Sequence, residues 1–331
     1  MYSQFAGIDI SSQDAQVAIQ PVLGQSKSVH IPQNQAGVEV LVAALDGAGC
    51  ERAATLVVME ATGVYWMRLA TSLYQAGFGV SVINPAQAHY FARALLRRSK
   101  TDLLDAQTLA ILAAKLQPPA WRPPTATQEA VYQRLAQRDA LLTMTQQERN
   151  RLHALQRRPQ PAQPVVDRLQ AHIQFLKAQI TDLDAELQQV IAQDEAWQRD
   201  AQLLRSIKGF GPVVTHWLMV ATHLFTACQS PDQIASYAGL VPRLFESGTS
   251  IRSRPALGFA PHHRLRQALY MAALSAVQHN PIIRPFYRRL LDQGKPKKVA
   301  LCACAHKLIL IAWAVVIKQQ PFDPAFVAVY A

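Results

Sequence analysis

The chain has 331 residues, with 33 Lys+Arg against 22 Asp+Glu, a formal charge of +11 and a pI near 9.7. Half of it is hydrophobic and 17% is charged, which excludes wholesale disorder and leaves enough apolar side chain for more than one core. Cysteines at 50, 228, 302 and 304 are too few for a disulfide scaffold of this length and suit a reducing cytoplasm.

The opening MYSQFAGIDIS has neither the basic nor the apolar stretch of a signal peptide, so a cytoplasmic protein is expected. Residues 5–10 and 15–19 are short apolar runs joined by the polar Ser11–Asp14, a hairpin signal. Residues 54–59 form a continuous apolar run suited to a central strand. A helix is expected near 65–76, ended by Gly77, then a strand at 80–83. Asn84-Pro85 breaks the chain before helices near 86–97 and 102–115. Such an order predicts an α/β sheet of mixed direction.

Pro123-Pro124 opens a segment without strand signals. Val166, Leu169, Ile173, Leu176, Ile180, Leu183, Leu187 and Val190 alternate in steps of three and four, a heptad seam, and a weaker one runs through about 127–156. The Pro/Gln stretch 157–164 separates them, giving either a helical hairpin or an intermolecular coiled coil, with assembly the preferred role. From about 201 the pattern is of short helices rich in Arg. Val299–Ile317 is the longest apolar run; His306-Lys307 interrupts it, so it reads as a buried helix rather than a membrane span. The expected domains are 1–120, 121–200 and 201–331.

Charge is distributed in blocks. Residues 1–84 are net −3, 85–160 net +7, 161–200 net −4, and 201–331 net +11. Two basic blocks with acidic stretches elsewhere suit a polyanion, and point to nucleic acid.

Carboxylates are scarce enough to be informative. Asp9 interrupts the apolar strand FAGIDI, and Glu60 follows LVVM at a strand end. Asp102 and Asp105, three apart at a helix start, share a face; helix capping and dipole compensation are the alternative reading for them. Two strand carboxylates and a helical pair can converge on one or two hard cations, Mg²⁺ or Mn²⁺, of the kind that promote phosphodiester displacement.

GIDIS at 7–11, MEATGVY at 59–65, VINP at 82–85 and KTDLLDA at 100–106 resemble the RuvC-like, RNase H-fold half of the DEDD transposases of bacterial insertion-sequence family one-ten, which includes the Piv-type invertases. SIKGFGPVVTHWLMV (206–220), IASYAGLVPRLFESGTSIRSR (234–254) and LRQALYMAAL (265–274) resemble that family's C-terminal transposase domain. A local departure is FAPHHR at 259–264, where the family pattern has a second glycine and fewer imidazoles. The resemblance implies an α/β RNase H-like domain, a helical coiled-coil segment and a mostly α-helical C-terminal domain. It implies that Asp9, Glu60, Asp102 and Asp105 are catalytic metal ligands and that Ser247 is the nucleophile of a phosphoserine intermediate. It further implies donor and target DNA and a structured guide RNA as partners. A homo-oligomer, a tetramer built from dimers, is the working form expected for joining four DNA ends.

Taken alone, Ser247 is a turn serine beside Gly248 with no base in its motif. Lys208 beside the Gly209-Phe210-Gly211 turn, and Arg243, Arg252, Arg254, Arg264 and Arg266 around Ser247, are the expected nucleic-acid contacts. His262-His263 lacks a third ligand for a metal site. The competing functions are an RNase H-like junction nuclease that uses water, and a non-catalytic nucleic-acid-binding scaffold.

Overall fold

The computed structural model describes all residues except 1, 21–25, 97, 98, 100, 244, 245, 248–250, 253–255, 259, 260 and 328–331; for 243, 246, 247, 251, 252, 326 and 327 it describes the backbone. The chain forms two compact units, residues 1–123 and 124–331.

Unit 1 begins with β1 (Gln4–Ile10), β2 (Asp14–Gln20) and β3 (Lys27–Pro32), an antiparallel meander. Helix α1 (Gln35–Gly47), β4 (Thr55–Glu60), α2 (Trp66–Gln75), β5 (Gly79–Ile83), α3 (Pro85–Ala94) and α4 (Asp102–Leu116) follow. β4 pairs parallel to both β1 and β5, so the sheet order is β3-β2-β1-β4-β5. The hairpin and the mixed sheet expected from the sequence are both present. Absent from that reading were β3 and α1.

Alternation along β1 sorts the two faces. Ala6, Ile8 and Ile10 join a core with Val38, Leu41 and Leu45 of α1 and Leu69 and Leu73 of α2. Phe5, Gly7 and Asp9 have the opposite parity, and Phe5 packs with Leu56, Val58 and Ile83 against Leu109 and Leu112 of α4. α4 lies directly on the strand because Gly7 has no side chain. A Cβ there would sit 2.1 Å from the Ala106 carbonyl oxygen and 2.3 Å from the Ala110 nitrogen, both backbone atoms that cannot yield. Gly7→Val should therefore lower unfolding stability by about 3 kcal/mol or more, the upper end of overpacking costs. Chemical denaturation checks this against Gly47→Ala, whose Cβ meets nothing within 4 Å and which should be neutral or slightly stabilising.

Unit 2 opens with α5 (Ala126–Gln156) and α6 (Gln163–Ala192). These two helices form a hairpin. Arg138 pairs with Asp184 at 2.7 Å and Arg134 with Glu186 at 2.9 Å, while Glu148 lies 3.7 Å from His172. Val166, Ile173, Leu176 and Leu187 of the heptad seam are buried in the single chain. The structure thus takes the hairpin form, and α5, not a second subunit, is the seam's partner. The preference for an intermolecular coiled coil is corrected on that ground.

Beyond the hairpin come α7 (Glu195–Arg205), α8 (Pro212–Thr222) and α9 (Pro231–Tyr237). Four two-residue strands, β6 (Pro242–Arg243), β7 (Glu246–Ser247), β8 (Ile251–Arg252) and β9 (Ala256–Leu257), precede α10 (His263–His279), α11 (Ile283–Asp292), α12 (Lys297–Lys318) and α13 (Pro324–Val327). Val131, Leu135, Leu187 and Ile191 root the hairpin in one core with α7 to α12. α12 is long and apolar enough to cross a membrane, yet Leu308, Ile309, Ile311 and Ala312 are buried in that core, as a core helix requires.

Candidate active site

Asp9 is the penultimate residue of β1 and Glu60 the last of β4, and the adjacent pair Ile8–Met59 sets the two strands in parallel register. Both carboxylates therefore emerge at the carboxyl ends of neighbouring parallel strands, where open α/β sheets commonly present ligand-binding groups. Both residues are half-buried. By parity they leave the sheet on the face that α4 covers.

α4 is placed by its start as well as by Gly7. Thr101 is the N-cap, its hydroxyl accepting from the Leu104 amide at 3.3 Å. Asp102 is hence not the cap, and it is exposed, whereas Asp105 is half-buried one turn further in. Asp9, Glu60 and Asp105 line one cleft of about 380 Å³, together with Pro85, Ala88, His89, Ala92, Arg93, Ser99, Thr108 and Leu109. Asp102 does not line it. Among the described residues no three His, Cys, Asp or Glu side chains are grouped closely enough to hold one ion, so ligation requires these carboxylates to draw together. In kind, the donor set fits a hard divalent cation, because every candidate ligand is a carboxylate oxygen.

His89 and Arg93 were not anticipated. A signal existed: positions 85, 88, 89, 92 and 93 have the spacing of one helical face. Asn84 fixes that helix with a capping box, accepting from the Ala86 amide at 2.8 Å while Gln87 accepts from the Asn84 amide.

Ser247 lies in the other unit. It closes β7, paired with Ile251 of β8, and in sequence this pair nests inside the β6–β9 pair. Gly248, Thr249 and Ser250 lie outside the described residues, as does Arg254; for Ser247, Arg243 and Arg252 the description stops at the backbone.

Two of the expected nucleic-acid contacts are engaged within the protein. Arg266 donates to the carbonyls of Ala238 (3.1 Å), Gly239 (2.7 Å) and Gly258 (2.7 Å), pinning both feet of the hairpin that carries Ser247. Arg264 forms a two-pronged pair with Asp139 of α5, one prong at 2.7 Å, and its guanidinium stacks over Trp217. Long-range protein acceptors have taken the donors that the sequence reading offered to phosphate. Arg266→Ala, and equally Arg266→Lys, which lacks the planar fork, should raise amide exchange across 239–258 by about tenfold or more. The salt slope of DNA binding should stay unchanged, whereas loss of a phosphate contact would lower it by about 1.

Lys208 is exposed, and its carbonyl is held by the Asn280 amide at 3.0 Å. Gly209 (φ +109°) faces Ala276 of α10, while a Cβ on Gly211, the N-cap of α8, would meet nothing within 4 Å. His262 caps α10, its Nδ1 accepting from the Leu265 amide at 3.0 Å.

Residues 6–158 match a family model described as a transposase, and residues 201–288 match one described as "Transposase IS116/IS110/IS902 family". Pilin gene-inverting protein of Moraxella bovis is 34% identical over 81% of this chain and 81% of its own length, and that of Moraxella lacunata matches to the same extent. The transposase for insertion sequence element IS1328 of Yersinia enterocolitica is 24% identical over 81% of this chain and 85% of its own.

Proposed function

The chain belongs to the IS110 family of transposases, and we propose that it cuts and rejoins DNA through a covalent phosphoserine at Ser247, with Asp9, Glu60, Asp102 and Asp105 as ligands of Mg²⁺ or Mn²⁺. The observation that carries this reading is the gathering of Asp9, Glu60 and Asp105, from two strands and a helix distant in sequence, into one cleft. The strand order β3-β2-β1-β4-β5, antiparallel then parallel, supports an RNase H-like unit.

A bound divalent cation would supply charge neutralisation at the phosphodiester and favour an ionised nucleophile. The chain's own residues do the rest. The carboxylates would hold the cation, and Arg93 and His89 offer phosphate contacts in the same cleft. Ser247 Oγ attacks phosphorus, its proton passes to solvent or a carboxylate, and the departing strand leaves with a free hydroxyl. Attack by that hydroxyl, or by another strand's, on the phosphoserine returns the serine and closes a DNA strand, so no external energy source is needed.

The +11 block at 201–331, with exposed Lys208 at the Gly209-Phe210-Gly211 turn, suits backbone binding of DNA and of a structured guide RNA. Neither basic block shows a base-reading motif, so sequence choice is assigned to RNA pairing. The protein works as a homo-oligomer, a tetramer built from two dimers being the simplest that handles four DNA ends, in the cytoplasm. The test is strand cleavage and joining on plasmids carrying element ends, with flank RNA present or omitted. Joining that needs both a divalent cation and the RNA is expected; joining that ignores the RNA would remove the guide.

A further inference from the structure

We propose that the cavity between α5, α8 and the start of α10 binds a single unstacked nucleobase; this rests on the nucleic-acid reading above. The cavity measures about 560 Å³ and lies wholly within unit 2. Tyr132, Trp217 and His262 line it. Trp217 stands edge-on to Tyr132 at 6.1 Å and to His262 at 5.7 Å. Such walls stack flat heterocycles of any sequence, and RNA and single-stranded DNA readers use them in this way.

The polar groups favour a heterocycle over an anion. Arg264, over the Trp217 ring, is already matched by Asp139, so the cavity holds no unbalanced positive charge to attract phosphate. Gln267 and Thr143 also line it, and between them offer donors and acceptors suited to a base edge. His262 adds a defined donor: with Nδ1 accepting from Leu265, the neutral ring carries its proton on Nε2. Burial first of all disfavours the imidazolium, in keeping with that neutral form. The Trp217 indole N–H is buried without an acceptor among the described residues, so what Trp217 offers the cavity is its ring. Tyr132, Thr143, His263 and Gln267 are exposed, which leaves the cavity a way in from solvent. An aliphatic ligand would leave these polar groups unmet.

The experiment uses the full chain with its five tryptophans replaced by 5-fluorotryptophan, titrated with the four nucleoside 5′-monophosphates and with ribose 5-phosphate. One fluorine resonance, absent from Trp217→Phe, should shift with the nucleotides and not with ribose 5-phosphate. Gln267→Ala, an exposed position that leaves the core intact, and Tyr132→Ala should each weaken nucleotide binding by about tenfold, roughly 1.4 kcal/mol. An equal shift with ribose 5-phosphate would make this a phosphate site and overturn the proposal. So would the absence of any shift at millimolar nucleotide, or binding that neither variant weakens. Strand cleavage is not among the readouts, so failure here with cleavage intact removes the base pocket alone, and failure of cleavage leaves this measurement standing.

Discussion

Glu60→Gln, Asp9→Asn and Asp105→Asn should each reduce DNA strand cleavage by about a hundredfold or more, with DNA affinity nearly unchanged. Each substitution keeps the side chain's shape and removes a ligand charge from a cleft with few carboxylates, and a metal contact at a phosphoryl transition state is worth several kcal/mol. Glu60 and Asp9 stand at strand ends fixed by the register of β1 and β4, so neither has a neighbour able to replace it. Asp102 is exposed and does not line the cleft, so Asp102→Asn should show the smallest loss of the four. Rates on a defined DNA end, with circular dichroism to verify folding, check the order. Cleavage at the unsubstituted rate in folded Glu60→Gln would remove the cleft from the chemistry.

Ser247→Ala should abolish the protein–DNA adduct and all joining while leaving metal and DNA binding close to the unsubstituted values, because one hydroxyl adds little to either. The acids and the serine belong to separate compact units, so their cooperation is open to a complementation test. Mixed oligomers of Ser247→Ala and Asp9→Asn protein contain some sites with an intact acid set from one chain and an intact serine from another. Recovered cleavage marks a site shared between chains. No recovery, with subunit mixing demonstrated by differently tagged proteins, marks a site built within one chain.

Unit 1 was legible because its signals are local. The alternation of FAGIDI, the continuous LVVM and the Asn84-Pro85 break each speak for their own segment. β3 escaped notice because KSVHIP has only Val29 and Ile31 as apolar residues on one face, a thin signal for a strand paired on one side only. α1 escaped because the β-branched stretch VEVLV does not mark itself as helix. The three cleft carboxylates could be named in advance, Asp9 because charge is costly in an apolar strand, Glu60 because it follows a strand end, and Asp105 because it shares a helix face with Asp102. Gly7 could not be weighed in advance: its role depends on the backbone of α4, about a hundred residues later.

Unit 2 was less readable, for the same reason inverted. Arg264 and Arg266 look like surface cations until Asp139 and three carbonyls are brought to them by the fold. The heptad seam announced an apolar stripe but not its partner, and a spacing alone cannot tell α5 of the same chain from a second subunit. His89 and Arg93 were within reach of helical spacing and were missed only for want of a reason to look at that face.

The central claim is that Ser247 attacks DNA directly, and a denaturing gel tests it most directly. Radiolabelled element-end DNA is incubated with protein, guide RNA and Mg²⁺, then denatured. The account predicts a labelled band at the mass of the protein–DNA adduct, lost on protease treatment and absent from Ser247→Ala, with mass spectrometry placing the phosphodiester on the peptide that carries Ser247. Cleaved DNA without any adduct, at equal rates in the unsubstituted and Ser247→Ala proteins, would contradict it and leave a metal nuclease in which water attacks.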